Sequence, residues 1–413
     1  MILLINIYYI LFGIITVINR GGAGLEIGNI NIVILLIFIT PLLYFGLKNN
    51  LPINLDFPVL LFIFISFLIL VQHLLSISFS TEIIRTSGIL LYPVSLLAGI
   101  SLARPKTVKR TKDVIRIILF LSVIYGFLYP IKNFLKDLFI INDISLLGFY
   151  GSYYTITVAA FCFFYSGFGS KSNKKGLSIA SAFSTLIHPS RNGILGLISA
   201  FFINIISRRK ILLSKKSFLE ISISLIFIFI AILIVFPFLS RIGTDVRGNY
   251  DITFFFEALK SIFVAGSNDD SLSGSVDHRL IMLFLTLGQL FTNIQYFFLG
   301  IPLDINYTEA VFNDPHNGYV SIFARGGIFN LLSFIFLQYQ LIRKILLCRA
   351  KLGPNNFSSF SLSFSISSLI MIFFTTMLTS PMNAIPYYFL LGFIWQINNY
   401  YLNDYAEKNK SIS

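Results

Sequence analysis

The residues best suited to chemistry form the segment Asp314–Tyr319 (DPHNGY), which ends a long polar stretch and precedes an apolar one. Asp314 fits a helix N-cap and Pro315 the first helical position, so His316 is predicted to lie in the first turn. The helix dipole disfavours imidazolium there and should keep the ring neutral. A neutral imidazole suits a general base. The alternative is an interfacial histidine that only satisfies a neighbouring polar group.

Two arginines are candidates for binding an anion. Pro189 ends one apolar segment, Ser190 fits the N-cap of the next, and Arg191 would lie in its first turn. Free backbone N–H groups and the positive end of the helix dipole make this an anion site. Arg279 begins another apolar piece and can bind a phosphate through two hydrogen bonds. Alternatively, Arg191 snorkels to lipid phosphate and Arg279 lies at a rim without a ligand.

The elements that must position these residues are predicted to be membrane spans. Hydrophobic residues make up 56% of the 413 and charged residues only 12%, against about 25% charged in soluble domains. The first apolar run has no basic n-region and no cleavage site, so it is interpreted as a span and not a signal peptide. We predict an all-α polytopic membrane protein with about twelve spans, at 1–18, 29–47, 57–75, 88–103, 114–130, 150–168, 176–188, 193–206, 218–239, 318–345, 357–379 and 384–401.

The net charge of +13 indicates topology. Its basic clusters lie in short connections that twelve spans place on one side, together with the Lys408 and Lys410 tail. By the positive-inside rule this side is the cytoplasm, so both termini are predicted to be cytoplasmic and nucleic-acid binding is excluded. The clusters are 104–116, 171–175, 208–216 and 343–351.

The spans divide the chain into three parts: a bundle of about nine spans at 1–239, a large loop outside the cytoplasm at 240–317, and about three spans with a tail at 318–413. In the loop, 252–265 and 280–291 are too short to span and are predicted to be interfacial helices. A loop this long in a compact bundle is usually functional or disordered, and the predicted interfacial helices favour a functional one.

More basic residues lie in or just after this loop. Arg241 and Arg247 are in it, and Arg325 follows within the next span. Arg325 is about 13 Å deeper than His316 by helix rise and half a turn round, which favours an ion pair or helix packing for it.

Other kinds of site are not found in the sequence. There is no Gly-rich phosphate loop, no Cys/His metal cluster and no serine nucleophile elbow, so neither metal nor cofactor is expected. Two helix N-termini on one external surface, with an imidazole and a guanidinium, suit a lipid-linked phosphate or diphosphate. Because no nucleotide donor is available on that face, a lipid-diphosphate sugar is the natural donor.

These motifs resemble the O-antigen ligase/polymerase superfamily of bacterial membrane glycosyltransferases. The resemblance rests on Ser190-Arg191 heading a span, Arg279-Leu280-Ile281-Met282, Leu299-Gly300-Ile301-Pro302, and above all on Asp314–Tyr319 followed by Gly326-Gly327. The motifs cover about residues 188–330. The family often has Gly-x-x-Gly after the His-Asn element, whereas Asn330 stands three residues after Gly327 here, a departure that concerns local helix packing.

The resemblance implies a GT-C-like fold and metal-independent transfer from an undecaprenyl-diphosphate-linked oligosaccharide at the periplasmic face of the inner membrane. His316 would activate the acceptor hydroxyl, while Arg191 and Arg279 would bind the diphosphate and stabilise it as it leaves. The implied partners are that lipid-linked oligosaccharide, membrane lipids and a chain-length regulator protein. The candidate substrate-binding residues are Ser190, Asn317, Tyr319, Arg241, Arg247 and Arg325.

Three activities are compatible with the sequence. An O-antigen polymerase, favoured on overall resemblance, transfers the growing glycan onto the next lipid-linked repeat unit. A ligase transfers it onto the lipid A core. A flippase moves the lipid-linked oligosaccharide without chemistry, but no internal repeat is visible and the ionisable residues cluster at the external face instead of the midplane.

Overall fold

A computed structural model describes about half of the chain. The described residues are 55–76, 90–103, 108–109, 111–120, 122–124, 154–168, 175–187, 191–208, 282–301, 317–374 and 381–410. Within these ranges the chain is helical and contains no strand, which confirms the all-α class there. The predicted spans 1–18, 29–47 and 218–239 and the predicted helix 252–265 lie outside the described residues.

The observed helices follow the predicted segments. Those predicted at 57–75, 176–188 and 318–345 begin within one residue of the observed helices, and that predicted at 280–291 is also present. Helices α9 and α10 are long and apolar enough to cross a membrane; the twelve-span arrangement stays a prediction. The helices are α1 (Phe57–Ser76), α2 (Leu91–Leu102), α3 (111–120), α4 (Tyr154–Tyr165), α5 (Lys175–Ile187), α6 (Arg191–Arg208), α7 (Met282–Thr292), α8 (Ile294–Leu299), α9 (Gly318–Leu352), α10 (Asn356–Phe374) and α11 (Pro381–Lys410).

Two helices run past their predicted ends. Helix α9 continues from 345 to Leu352, through the basic cluster, and α11 continues from 401 to Lys410. Lysine and arginine are good helix formers and are favoured in a last turn, where they face the negative end of the dipole. A loss of apolar character therefore marked the predicted boundary of the span but not the end of the helix.

Helix α10 packs against α4, α6 and α9. Its sequence alternates serine with bulky apolar residues, and the serines are almost completely buried. Small side chains let helix backbones approach closely. On the α6 side, Asn204 Nδ2 donates to Ser363 Oγ at 3.4 Å. The buried serines are Ser358, Ser359, Ser361, Ser363, Ser365, Ser367 and Ser368.

A cluster around Asp56, which we call the Asp56 clamp, joins three helices. Asp56 Oδ2 accepts hydrogen bonds from Lys344 Nζ of α9, and from Trp395 Nε1 at 3.0 Å and Asn399 Nδ2 at 3.2 Å, both of α11. Lys344 Nζ also donates to Asn399 Oδ1 at 2.6 Å and lies 3.9 Å from the centroid of the Trp395 ring. The start of α1 is thus held against the later parts of α9 and α11, ends that the charge pattern predicts to lie on one side of a membrane.

Replacing Asp56 should destabilise the protein. Asp56→Ala removes the acceptor shared by three donors, so we expect the free energy of unfolding in detergent to fall by about 1–3 kcal/mol. The control is Asp113→Ala, because Asp113 pairs with Arg116 at 3.1 Å while both side chains are more than 40% exposed; an exposed pair contributes about 0–1 kcal/mol. Equal losses in the two variants would show that the clamp is no stronger than a surface pair.

Candidate functional site

Asn317 caps the start of α9. Its side-chain oxygen accepts hydrogen bonds from the N–H groups of Tyr319 at 3.0 Å and Val320 at 3.1 Å. The prediction that Asp314 is the cap and that His316 lies in the first turn is therefore wrong: the helix begins at Gly318, and His316 precedes the cap. Asn and Asp rank equally at this position, so the sequence offered two caps three residues apart. Asn317 also occupies two amides that an anion would otherwise find free.

Tyr319 connects α9 to the end of α10. Its hydroxyl donates to the carbonyl oxygen of Leu369 at 3.2 Å, and its ring meets Phe334 edge to face with centroids 6.2 Å apart. The half-buried side chain therefore holds two helices together. Its predicted role in substrate binding stays a prediction.

The start of α6 lies beside the same end of α10. Arg191 is its first residue, which agrees with the cap prediction for Ser190. One turn further on, a Cβ added to Gly196 would lie 3.0 Å from Met371 Cγ of α10. Because Met371 is two residues from Leu369, the contact of Tyr319, the starts of α6 and α9 flank the same turn of α10. The described backbone thus brings both predicted helix N-termini to one end of the bundle.

Arg325 lies beside a stack of aromatic rings. Its Nη1 donates to the hydroxyl of Tyr92 in α2 at 3.1 Å. The Tyr92 ring stacks on Tyr388 of α11 with centroids 5.4 Å apart, and Tyr388 stacks on Phe62 of α1 at 5.3 Å. This arrangement agrees with the expectation that Arg325 serves helix packing. Its contribution to substrate binding stays a prediction.

Helix α9 is kinked at Gly326 and Gly327. Gly327 has φ 67° and ψ −169°, and a Cβ on it would collide with the carbonyl of Phe298 at the end of α8. Only glycine permits both this backbone conformation and this approach. Gly327 therefore allows α8 and α9 to pack closely at the kink.

The kink has its own hydrogen bonds. The Ile301 N–H, which lies outside α9, donates to the carbonyl of Ala324 at 2.7 Å. Asn330 Nδ2 donates across the kink to the carbonyl of Ile322 at 2.8 Å. Asn330, which stands where the superfamily that the sequence resembles often has a second glycine, therefore has a structural role beside the kink.

Helices α7 and α8, which lead to this kink, expose large apolar side chains. Phe284 and Phe291 are each 65% exposed and Ile294 is 70% exposed. On the other side, Leu290 and Ile301 are buried in a small cluster with Phe323 of α9. A short helix pair that exposes one apolar face beside the described residues suits a location at the membrane interface.

The remaining candidates belong to parts of the chain without described side chains. His316, Arg279, Ser190, Arg241 and Arg247 lie outside the described residues, as does the side chain of Arg191. Among the described residues, no group of three His, Cys, Asp or Glu can hold a metal ion.

Sequence reasoning missed the aromatic stack and the partner of Arg325. Tyr92 is 233 residues from Arg325, and one tyrosine near the start of a predicted span carries no signal for such a pairing.

Comparison with known proteins gives no family assignment: no protein-family model matches the chain, and no curated protein sequence matches it.

Substitution of Gly327 tests the close contact at the kink. Gly327 and Gly353 both have positive φ, 67° and 77°, so alanine strains either backbone by about 1–3 kcal/mol. A Cβ on Gly353 meets nothing within 4 Å, whereas one on Gly327 meets the Phe298 carbonyl. Gly327→Ala should therefore lower the free energy of unfolding by about 1–3 kcal/mol more than Gly353→Ala. Matching values would disprove the contact with α8.

Substitution of Asn317 tests the cap. Asn317→Ala should cost about 1 kcal/mol of stability, whereas Asn317→Asp should cost little because a carboxylate oxygen also accepts both hydrogen bonds. Thermal unfolding of the two variants in detergent measures the difference. An aspartate variant as unstable as the alanine variant would rule out the cap as the main role of this side chain.

Proposed function

We propose that the protein is a membrane glycosyltransferase of the O-antigen polymerase type. It would transfer a growing glycan from undecaprenyl diphosphate onto the next lipid-linked repeat unit, on the external face of a bacterial inner membrane. About twelve spans in a GT-C-like arrangement, with both termini cytoplasmic and the loop 240–317 periplasmic, belong to this proposal.

The observation that carries the proposal is that α6 and α9 both contact the same end of α10. Tyr319, three residues after His316, donates to Leu369, and Gly196, five residues after Arg191, packs on Met371. The general-base candidate and the anion-binding candidate therefore belong to chain segments that converge at one end of the bundle. A transferase needs such convergence, because the acceptor hydroxyl and the leaving diphosphate must meet at one sugar carbon.

The proposed step is a single displacement. An oxygen of the acceptor attacks the anomeric carbon of the donor sugar while the bond from that carbon to the diphosphate oxygen breaks. The acceptor proton moves to the imidazole of His316, and the diphosphate leaves with its negative charge. Arg191 and Arg279 would stabilise that charge as it develops.

The cap formed by Asn317 indicates which helix start would bind the diphosphate and which would face the acceptor. Since it occupies the amides of Tyr319 and Val320, the N-terminus of α9 is less suited to hold the diphosphate than the N-terminus of α6. We therefore assign the anion to Arg191 and the first turn of α6. His316, just before the cap of α9, would face the acceptor. Losing one leaving-group contact typically costs about 10²–10³ in rate, and losing a general base about 10²–10⁴.

Surface polysaccharide length tests the assignment. His316→Ala and Arg191→Ala should each shorten or abolish long chains in the lipopolysaccharide ladder, with the protein still present in the membrane. The control is Arg116→Ala, which removes an arginine paired with Asp113 in α3 and should leave the ladder unchanged. Ladders of wild-type length and amount in both site variants would show that the site is wrongly assigned.

Deleting the gene distinguishes the activities. A core carrying single repeat units indicates a polymerase. Bare core with long chains stranded on the lipid carrier indicates a ligase, and complete loss of externally displayed glycan indicates a flippase. Either of the last two results would overturn the polymerase proposal.

A further inference from the structure

An apolar groove runs between the antiparallel helices α1 and α9. Its volume is about 550 Å³, within the usual range of about 300–1,000 Å³ for small-molecule sites. Phe57, Leu61 and Ile65 form the α1 wall. Apart from Ser333, every residue that lines the groove is an aliphatic or aromatic one. The groove therefore suits a hydrocarbon chain and offers little to a polar ligand.

The α9 wall is a single helix face. Phe329, Leu332, Phe336 and Tyr339 are spaced three or four residues apart, so they lie along one side of the helix. Leu332 is 53% exposed and Tyr339 is 60% exposed. No described helix covers this face.

Both ends of the groove are defined by contacts between α1 and α9. At one end the Asp56 clamp joins the helices, and the rings of Phe57 and Phe336 meet edge to face with centroids 6.2 Å apart. At the other end, α1 meets the kink, where a Cβ on Gly326 would lie 2.7 Å from Ile69 Cγ1. A chain in the groove would therefore extend from the clamp toward the kink.

The length of the groove corresponds to one leaflet. The helix rises about 15 Å over the ten residue steps from Phe329 to Tyr339, which is half of the roughly 30 Å hydrocarbon core of a bilayer. An acyl chain that starts at the clamp would thus extend through about one leaflet toward the kink.

A cation stands where the headgroup would lie. Arg343 is one helical turn beyond Tyr339 on the same face, is exposed, and forms no salt bridge with another described residue. Its neighbour Lys344 is already occupied by the clamp. Arg343 therefore offers a guanidinium to a phosphate beside the clamp end of the groove, the charge complement of an anionic phospholipid.

We propose that this groove binds one acyl chain of an anionic membrane phospholipid, whose phosphate contacts Arg343. The lipid belongs to the leaflet on the side of the clamp, which the charge pattern predicts to be cytoplasmic. The site is separate from the proposed transferase site at the opposite end of α9, and it does not depend on that function.

Trp395 provides the measurement, because it is the only tryptophan in the chain and donates to Asp56, the residue before Phe57. The full-length protein is placed in phosphatidylcholine bilayers that contain either phosphatidylglycerol or phosphatidylcholine with brominated acyl chains, which quench tryptophan at short range. We expect brominated phosphatidylglycerol to quench Trp395 with about fivefold stronger apparent binding than brominated phosphatidylcholine. Unlabelled phosphatidylglycerol should reverse the quenching.

Two pairs of variants locate the binding. Arg343→Gln should remove the preference for phosphatidylglycerol, whereas Lys109→Gln, which neutralises an exposed lysine just before α3, should keep it. Leu332→Phe narrows the groove and should weaken the quenching several-fold. Leu346→Phe makes the same change on a 48% exposed residue of α9 that does not line the groove, and should leave the quenching unchanged. Trp395 emission in unbrominated bilayers verifies that each variant is folded.

Three results would overturn the proposal. Equal quenching by the two brominated lipids would mean that ordinary bilayer contact suffices. Quenching that Leu332→Phe leaves unchanged would place the lipid elsewhere. Quenching that is present with one copy of the protein per bilayer disc and absent with two copies would assign the groove to a second copy of the chain.

Discussion

A helix that is long enough to cross a membrane can break only where other groups satisfy its freed backbone hydrogen bonds, since lipid supplies none. The kink of α9 meets this requirement twice, through the amide of Ile301 and the side chain of Asn330. The first of these contacts comes from the residue that follows α8 by two positions. In the sequence, His316 therefore lies between Ile301 and Asn317, and both of these residues form hydrogen bonds with α9.

The two ends of α9 are held by different kinds of interaction. Near its start, glycine lets backbone approach backbone, and Tyr319 donates to a carbonyl of α10. Near its end, the Asp56 clamp holds it by charge and hydrogen bonds. Backbone contact fixes position closely because it leaves no side chain free to adjust. The close backbone contact thus lies nearer the end of α9 that is proposed for chemistry.

The sequence was sufficient where a local signal decides the outcome. The length of the apolar segments located the helices, and the predicted starts at Phe57 and Gly318 match the observed ones. It failed where two local signals compete, as for the cap, because Asp314 and Asn317 are equally good candidates. It also failed for pairs set by tertiary packing. Asp56 and Lys344 are 288 residues apart, and no pattern within either segment specifies the other.

The serines of α10 have a consequence for how the chain reaches its membrane. With seven serines in 19 residues, α10 gains less from contact with lipid than a leucine-rich segment of equal length. Its favourable environment is the protein, where α4, α6 and α9 surround it. We therefore expect α10 to insert poorly into a membrane on its own. Its insertion would depend on contacts with the helices synthesised before it, so this step of biogenesis would be cooperative.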